Sequence, residues 1–197
     1  MSVGYNMKYY EDNALDYIES TKDADMSELY RFFLKHLKKK EGKILDIGFG
    51  SGRDMLYFRS LGFDVYGIDP TKSFSDYVSK LGFNNIENIG AQDMNYNNEF
   101  IGIWACASLL HIDKKELKEV FEKCANALKE DGVMYCSFKY GDFECIRNGR
   151  YFLYLNEASV KEYIIKSGLK VVGSLITNDV RPGREKEKWL NIILEKE

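Results

Sequence analysis

Proline and histidine are scarce in this chain, two of each in 197 residues, and no low-complexity tract or long apolar run interrupts it. The composition excludes disordered and collagen-like classes, because 45% hydrophobic against 30% charged residues can bury a core. The longest nearly apolar stretch, Ile101 to Ile112, carries a serine and a histidine and is too short to cross a bilayer. The opening MSVGYNMKYYEDN lacks the apolar centre of an export signal, so a cytoplasmic location is expected. Cys106, Cys124, Cys136 and Cys145 form no CxxC pair, which argues against a disulfide framework or a zinc site; four reduced thiols and no metal are expected. A net charge of −3 gives no general footprint for nucleic acid.

From Lys43 onward, β-rich runs alternate with amphipathic segments, the pattern of an α/β protein with a parallel sheet and helices on both faces. KILDI (43–47), FDVYGI (63–68), NIENI (85–89), FIGIWAC (100–106) and GVMYCSF (132–138) are the expected strands. Phe74, Tyr77, Val78 and Leu81 share one helical face, as do Leu117, Val120, Phe121, Cys124 and Leu128. Asp113 and Glu116 form a capping box for the second of these helices, and Asp131-Gly132 suits its stop. Asn156 and Gly168 bracket another helix. Residues 169–177 and 188–194 are separated only by a polar loop and should pair antiparallel, closing the sheet with a hairpin. Upstream, Ser27 is placed as the cap of a helix burying Leu29, Tyr30, Phe33, Leu34 and Leu37. The whole of 1–197 reads as one domain.

The sharpest local signal is ILDIGFGSGRD (44–54), where a strand ends at Asp46 and Gly48, Gly50 and Gly52 precede a helix. Glycine suits a sharp turn that a ligand must approach closely. A dinucleotide fingerprint would want its last glycine where Arg53 stands, so a pyrophosphate cradle fits poorly. Asp69, ending the next strand, could accept hydrogen bonds from both hydroxyls of a ribose. Asp93 follows the third strand and could meet an exocyclic amine. Three carboxylates at successive strand ends favour a cationic ligand over an anionic one.

The run DIGFGSG, GIDP, AQDM and IWACASLLHI resembles the successive motifs of class I methyltransferases that use S-adenosylmethionine (SAM), over nearly the whole chain. The stretch WACASLLHI with a terminal RPGR and WLNIIL further resembles small bacterial enzymes near the tellurite-resistance methyltransferases. The resemblance implies a Rossmann-like sheet with the closing hairpin. It implies that Gly48, Phe49, Gly50 and Gly52 surround the methionine portion, that Asp46 holds its amino group, and that Arg53 pairs with its carboxylate. It further implies that Asp69 takes the ribose hydroxyls beside Pro70, and that Asp93 and Met94 face the adenine.

In open α/β sheets, ligands sit beyond the carboxyl ends of the strands. There, loops 107–113, 139–156 and 178–187 bring His111, Arg147, Arg150, Arg181 and Arg184, with Tyr140, Phe143, Tyr151, Phe152 and Tyr154. Arg150, Tyr151 and Arg181 are the candidate substrate residues, suited to a small anionic acceptor; Arg147 and Arg184 read better as solvated. His111 is the sole general-base candidate near that edge, although a structural or cofactor contact suits it as well, and His36 reads as structural. The helical segment 1–41, with Tyr5, Tyr9, Tyr10 and Tyr17, is expected to cover the cofactor or to pack on the sheet. Three other readings stay open: a nicotinamide oxidoreductase, a nucleotide or tRNA methyltransferase, and a non-catalytic SAM sensor or partner subunit. Oligomeric state is not legible.

Overall fold

The computed structural model describes residues 2–181 and 183–197, with residues 2–5 as backbone only. The side chain of Tyr5 and the whole of Pro182 lie outside the described residues. Three helices open the chain: α1 (Ser2–Asp12), α2 (Ala14–Thr21) and α3 (Ser27–Leu34). There follow β1 (Lys43–Ile47), α4 (Arg53–Ser60), β2 (Asp64–Ile68), α5 (Lys72–Lys80), β3 (Ile86–Glu87), β4 (Phe100–Ala105), a short 3-10 turn (Leu109–His111), α6 (Lys114–Ala127) and β5 (Leu128–Tyr140). The remainder is β6 (Phe143–Arg147), β7 (Arg150–Leu155), α7 (Ser159–Ile164), β8 (Leu169–Asn178) and β9 (Lys188–Lys196).

Strands β3, β2, β1, β4 and β5 lie side by side and parallel, and β9 runs antiparallel against β5 and β8, so the α/β sheet with its closing hairpin is as expected. Alternate strand residues supply two cores. Leu45, Ile103, Met134 and Ile192 face the layer holding Leu117, Val120 and Phe121 of α6. Ile44, Trp104, Tyr135 and Ile193 face the layer holding Phe33 of α3 and Phe58 of α4. Helices thus cover both faces of the parallel strands.

Three local expectations are corrected. Asp25, and not Ser27, serves the start of α3, its carboxylate accepting the Ser27 amide at 2.9 Å. Helix α6 keeps its Asp113 cap but ends at Ala127; Asp131, at φ 64°, shapes an irregularity inside β5 where the pairing with β4 shifts register. Residues 139–156 are not a loop: they hold the antiparallel hairpin β6–β7, turning at Asn148 and Gly149 with φ of 52° and 72°. Two successive left-handed residues are what a two-residue hairpin turn requires, and Asn-Gly is its usual sequence.

Candidate active site

The glycine turn after β1 is built as its sequence demands. Gly48, Gly50 and Gly52 all have positive φ, and a Cβ on Gly48 would stand 2.5 Å from the Cβ of Ser108, at the end of β4. A Cβ on Gly50 would meet the Tyr17 ring at 3.2 Å. The turn is therefore packed between the β4 end and the N-terminal helices, with room for backbone alone.

Under this turn lies Asp46, 2% exposed, with Oδ2 lacking any hydrogen-bond partner. Burial, reinforced by the nearby Asp54 charge, pushes its carboxyl well above the usual aspartate range. Such a group gains from the approach of a cation or a hydrogen-bond donor. Asp54 is different. Arg53 holds it at both oxygens, at 2.6 and 2.8 Å, while the Tyr30 hydroxyl and the Trp104 indole donate at 2.5 and 2.8 Å. Burial opposes its charge, but these donors outweigh that and keep its pKa below the ordinary value.

Asp69 closes the other side of the turn. Its oxygens accept from the Thr71 amide at 2.8 Å and the Gly50 amide at 3.1 Å, and burial still raises its pKa to about 6. Gly48, Gly50, Ile68, Asp69, Pro70 and Gly90 line a crevice of about 100 Å³. A second cavity, of about 680 Å³, is lined by Arg53, Lys139, Arg150, Phe152, Arg181 and Trp189 among others. The two share Tyr10, Tyr17, Ala107 and His111 as a common wall. At this wall Ala107 sits at φ 52°, a left-handed conformation uncommon for alanine.

His111 is held at both ring nitrogens. Nδ1 lies 2.8 Å from the Tyr151 carbonyl, which can only accept, so Nδ1 carries the proton and Nε2 accepts from the Tyr10 hydroxyl at 2.8 Å. Burial brings its pKa down to about 4 despite the Tyr151 carbonyl. Asn6 pins α1 to the same place, donating to the His111 carbonyl at 3.0 Å and accepting from the Tyr151 amide at 2.8 Å. Asn6 and Tyr10 carry no sequence signal for this role, because only the tertiary fold brings α1 onto β7.

The expected site residues divide. Gly48, Gly50, Asp69 and Pro70 line the crevice, with Asp46 beneath and Gly52 opening α4. Phe49 turns into the core, against Gly67 and Met55, and does not face the crevice. Asp93 is exposed and Met94 is buried in the core; Gly90, Ala91 and Gln92 form the wall in their place. Arg53 lines the larger cavity but is committed to Asp54 and to the Thr21 carbonyl at 3.2 Å. Arg150 and Arg181 both line that cavity, Arg181 paired at both oxygens of Asp179 at 2.9 and 2.5 Å. The Tyr151 ring points away, its hydroxyl donating to Glu144 at 2.7 Å, so it is the backbone of Tyr151 that serves the site. Arg147 and Arg184 are exposed at the cavity's edge. His36 bonds the Phe32 carbonyl, within its own helical turn. Among the described residues no cluster suited to a metal ion occurs, and no helix is long and apolar enough to cross a membrane.

Residues 44–132 match the family model described as a methyltransferase domain. A solved structure from Burkholderia thailandensis, 1,6-didemethyltoxoflavin-N1-methyltransferase with 1,6-didemethyltoxoflavin and S-adenosylhomocysteine bound, is similar with a TM-score of 0.83 at 17% identity, covering 98% of this chain and 88% of that one. An S-adenosylmethionine-dependent methyltransferase from Clostridium acetobutylicum matches with a TM-score of 0.68 at 15% identity, covering 97% and 98%. The [4+2]-cyclase SpnF matches with a TM-score of 0.72 at 11% identity, covering 97% and 94%. No curated protein sequence matches this chain.

Proposed function

We propose that this chain is a class I SAM-dependent methyltransferase, a reading supported by its fold and by the methyltransferase-domain match over residues 44–132, and that it methylates a small, anionic acceptor held in the larger cavity. The supporting observation is the meeting of two cavities at Tyr10, Tyr17, Ala107 and His111, one floored by the glycine turn and Asp69, the other holding the arginines. The residues suit SAM: Asp46 offers an orphaned buried oxygen to a cationic or donor group, and Asp69 offers a carboxylate where a ribose would lie. Bound there, SAM supplies a methyl group on a positively charged sulfur. Gly48 and Gly50 line the crevice where its chain would lie, and Ala107 and His111 bound the place where methyl and acceptor would meet. A volume of 680 Å³ suits a small molecule.

Of the two arginines expected to hold the acceptor, Arg150 is the better supported, because Asp179 already neutralises Arg181. The N-terminal helices are read as a strap over the cofactor, within one domain spanning 1–197. Asn6 ties α1 to β7, Glu11 accepts from the Ser73 amide at 3.2 Å at the start of α5, and Tyr17 covers Gly50. A crevice of about 100 Å³ is smaller than an ordinary ligand pocket, so the strap has to lift for a nucleoside to enter. Four free cysteines favour a cytosolic setting, and the reading needs neither membrane nor nucleic acid. The tellurite-resistance subgroup finds no support in these comparisons. The test is calorimetry with S-adenosylhomocysteine, followed by transfer of labelled methyl from SAM into fractionated small-molecule extract. Binding followed by a labelled small product is expected. Binding without any labelled product would favour a sensor, and uptake of a dinucleotide instead would favour an oxidoreductase.

A further inference from the structure

We propose that the acceptor is a flat weak acid methylated as its conjugate base, with its ionised atom against Arg150 where the two cavities join, so that no protein group removes a proton. This deepens, and rests on, the methyl-transfer reading above.

The argument begins with the charges of the larger cavity. Arg53 is neutralised by Asp54, Arg181 by Asp179 and Lys139 by Glu187, and Arg147 lies 3.7 Å from Glu187. Arg150 has no carboxylate partner among the described residues, and its Nε is enclosed without a hydrogen-bond partner. Its guanidinium lies over the faces of Tyr9 at 4.2 Å and Phe152 at 5.1 Å, which hold the plane in place but leave the charge unanswered. Arg184 also lines the cavity but is exposed, whereas Arg150 is half-buried, and a half-buried cation with no carboxylate beside it favours a negative charge.

Position makes that charge the reacting one. Arg150 Nη1 is 3.4 Å from the Tyr10 hydroxyl, and Tyr10 belongs to both cavities. An anionic atom on Arg150 is therefore at the junction and not at the far end of the larger space. Tyr10, Tyr17, Phe152 and Trp189 line the route and favour a planar body.

Among the described residues of the shared wall none is a ready base, and burial holds Tyr17 above its ordinary value. Both nitrogens of His111 are engaged, and burial, with the charges of Arg150 and Lys139, leaves its pKa at about 4. Tyr10 from α1 is held above its ordinary value by burial, with Arg150 opposing and Asp69 and Tyr9 adding to the rise. Burial pushes the Cys106 thiol up to about 12. An acceptor that arrives ionised needs none of them. Its electron pair forms the bond to the methyl carbon while the carbon–sulfur pair stays with sulfur, the two opposite charges vanish together, and no proton moves. Arg150 then faces a neutral product, which it holds less well than the anion.

The test uses protein saturated with S-adenosylhomocysteine. 4-Nitrophenol reports its own ionisation by absorbance, and benzoate against benzamide reports charge preference by calorimetry. Phenolate should bind at least tenfold more tightly than phenol, lowering the apparent pKa of the bound probe by about one, and benzoate should be preferred over benzamide by a similar factor. Arg150→Met should abolish both preferences while S-adenosylhomocysteine still binds within twofold of wild type, and Arg150→Lys should retain part of them. Equal binding of charged and neutral probes, no binding of either pair, or a preference that survives Arg150→Met overturns the proposal. Failure of S-adenosylhomocysteine itself to bind would instead remove the methyl-transfer reading, and this inference with it.

Discussion

Asp69→Asn should make the ligand-free protein more stable and the cofactor site weaker. Burial raises the Asp69 pKa from an ordinary 3.8 to about 6, so the native state holds that proton more tightly than the unfolded chain does. At about 1.4 kcal/mol per pKa unit, keeping Asp69 ionised costs the fold about 3 kcal/mol, to order of magnitude. The cost is fully present above pH 6, fades as pH falls through the window from about 6 to 3.8, and is absent below it. An amide avoids the charge and keeps an acceptor for the Thr71 amide, but it turns an NH2 towards the Gly50 amide, giving back about 1 kcal/mol. The net gain of about 2 kcal/mol corresponds to a rise of roughly 4–8 °C in Tm at pH 7.5 for a domain of this size. The same substitution removes an ionised acceptor for two ribose hydroxyls, worth roughly 1.5–3 kcal/mol each, so S-adenosylhomocysteine should bind at least tenfold more weakly by calorimetry. Scanning calorimetry from pH 7.5 down to 4.5 should show the stability advantage shrinking. A variant that melts below wild type at pH 7.5, or that binds S-adenosylhomocysteine equally well, refutes the reasoning.

Asp54→Ala strands the buried charge of Arg53 and two further donors, Tyr30 and Trp104, and should cost about 3–5 kcal/mol, read from urea unfolding. Gly48→Ala sets a Cβ 2.5 Å from that of Ser108 at a positive φ, so cofactor affinity should fall at least tenfold in calorimetry; near-wild-type binding would show that the turn can yield. Because His111 is held at about 4, the pH dependence of kcat should show no inflection from an enzyme imidazole between pH 5.5 and 8; a break near 6.5 that disappears in His111→Gln would restore it as a base. S-adenosylhomocysteine should slow limited proteolysis within residues 1–25, and cleavage at an unchanged rate would argue against the strap.

What was legible in the sequence is what local physics controls. Runs such as KILDI and FIGIWAC, short, apolar and bounded by turn residues, read as buried strands, the helical stripes between them supply the covering layers, and glycine at 48, 50 and 52 answers a turn with positive φ at all three positions. Asp46 and Asp69 followed from their places at the ends of adjacent parallel strands. The Asn148-Gly149 turn was equally local, and reading residues 139–156 as a loop overlooked it. The rest depended on direction and on distance along the chain. Phe49 follows a glycine of the turn and Met94 follows Asp93, yet both side chains go to the core, because pleat and loop geometry decide which side of the backbone a residue faces. Asn6 and Tyr10 reach Tyr151 and His111 across more than a hundred residues, a meeting set by packing of α1 on β7 and by no motif. The charge state of the cavity was likewise a tertiary matter. Arg53 and Arg181 take carboxylates one and two residues away, Asp54 and Asp179, but that all three arginines line one cavity, and that among the described residues Arg150 meets only rings and the Tyr10 hydroxyl there, follows from the packing of α1, β7 and the β8–β9 connection.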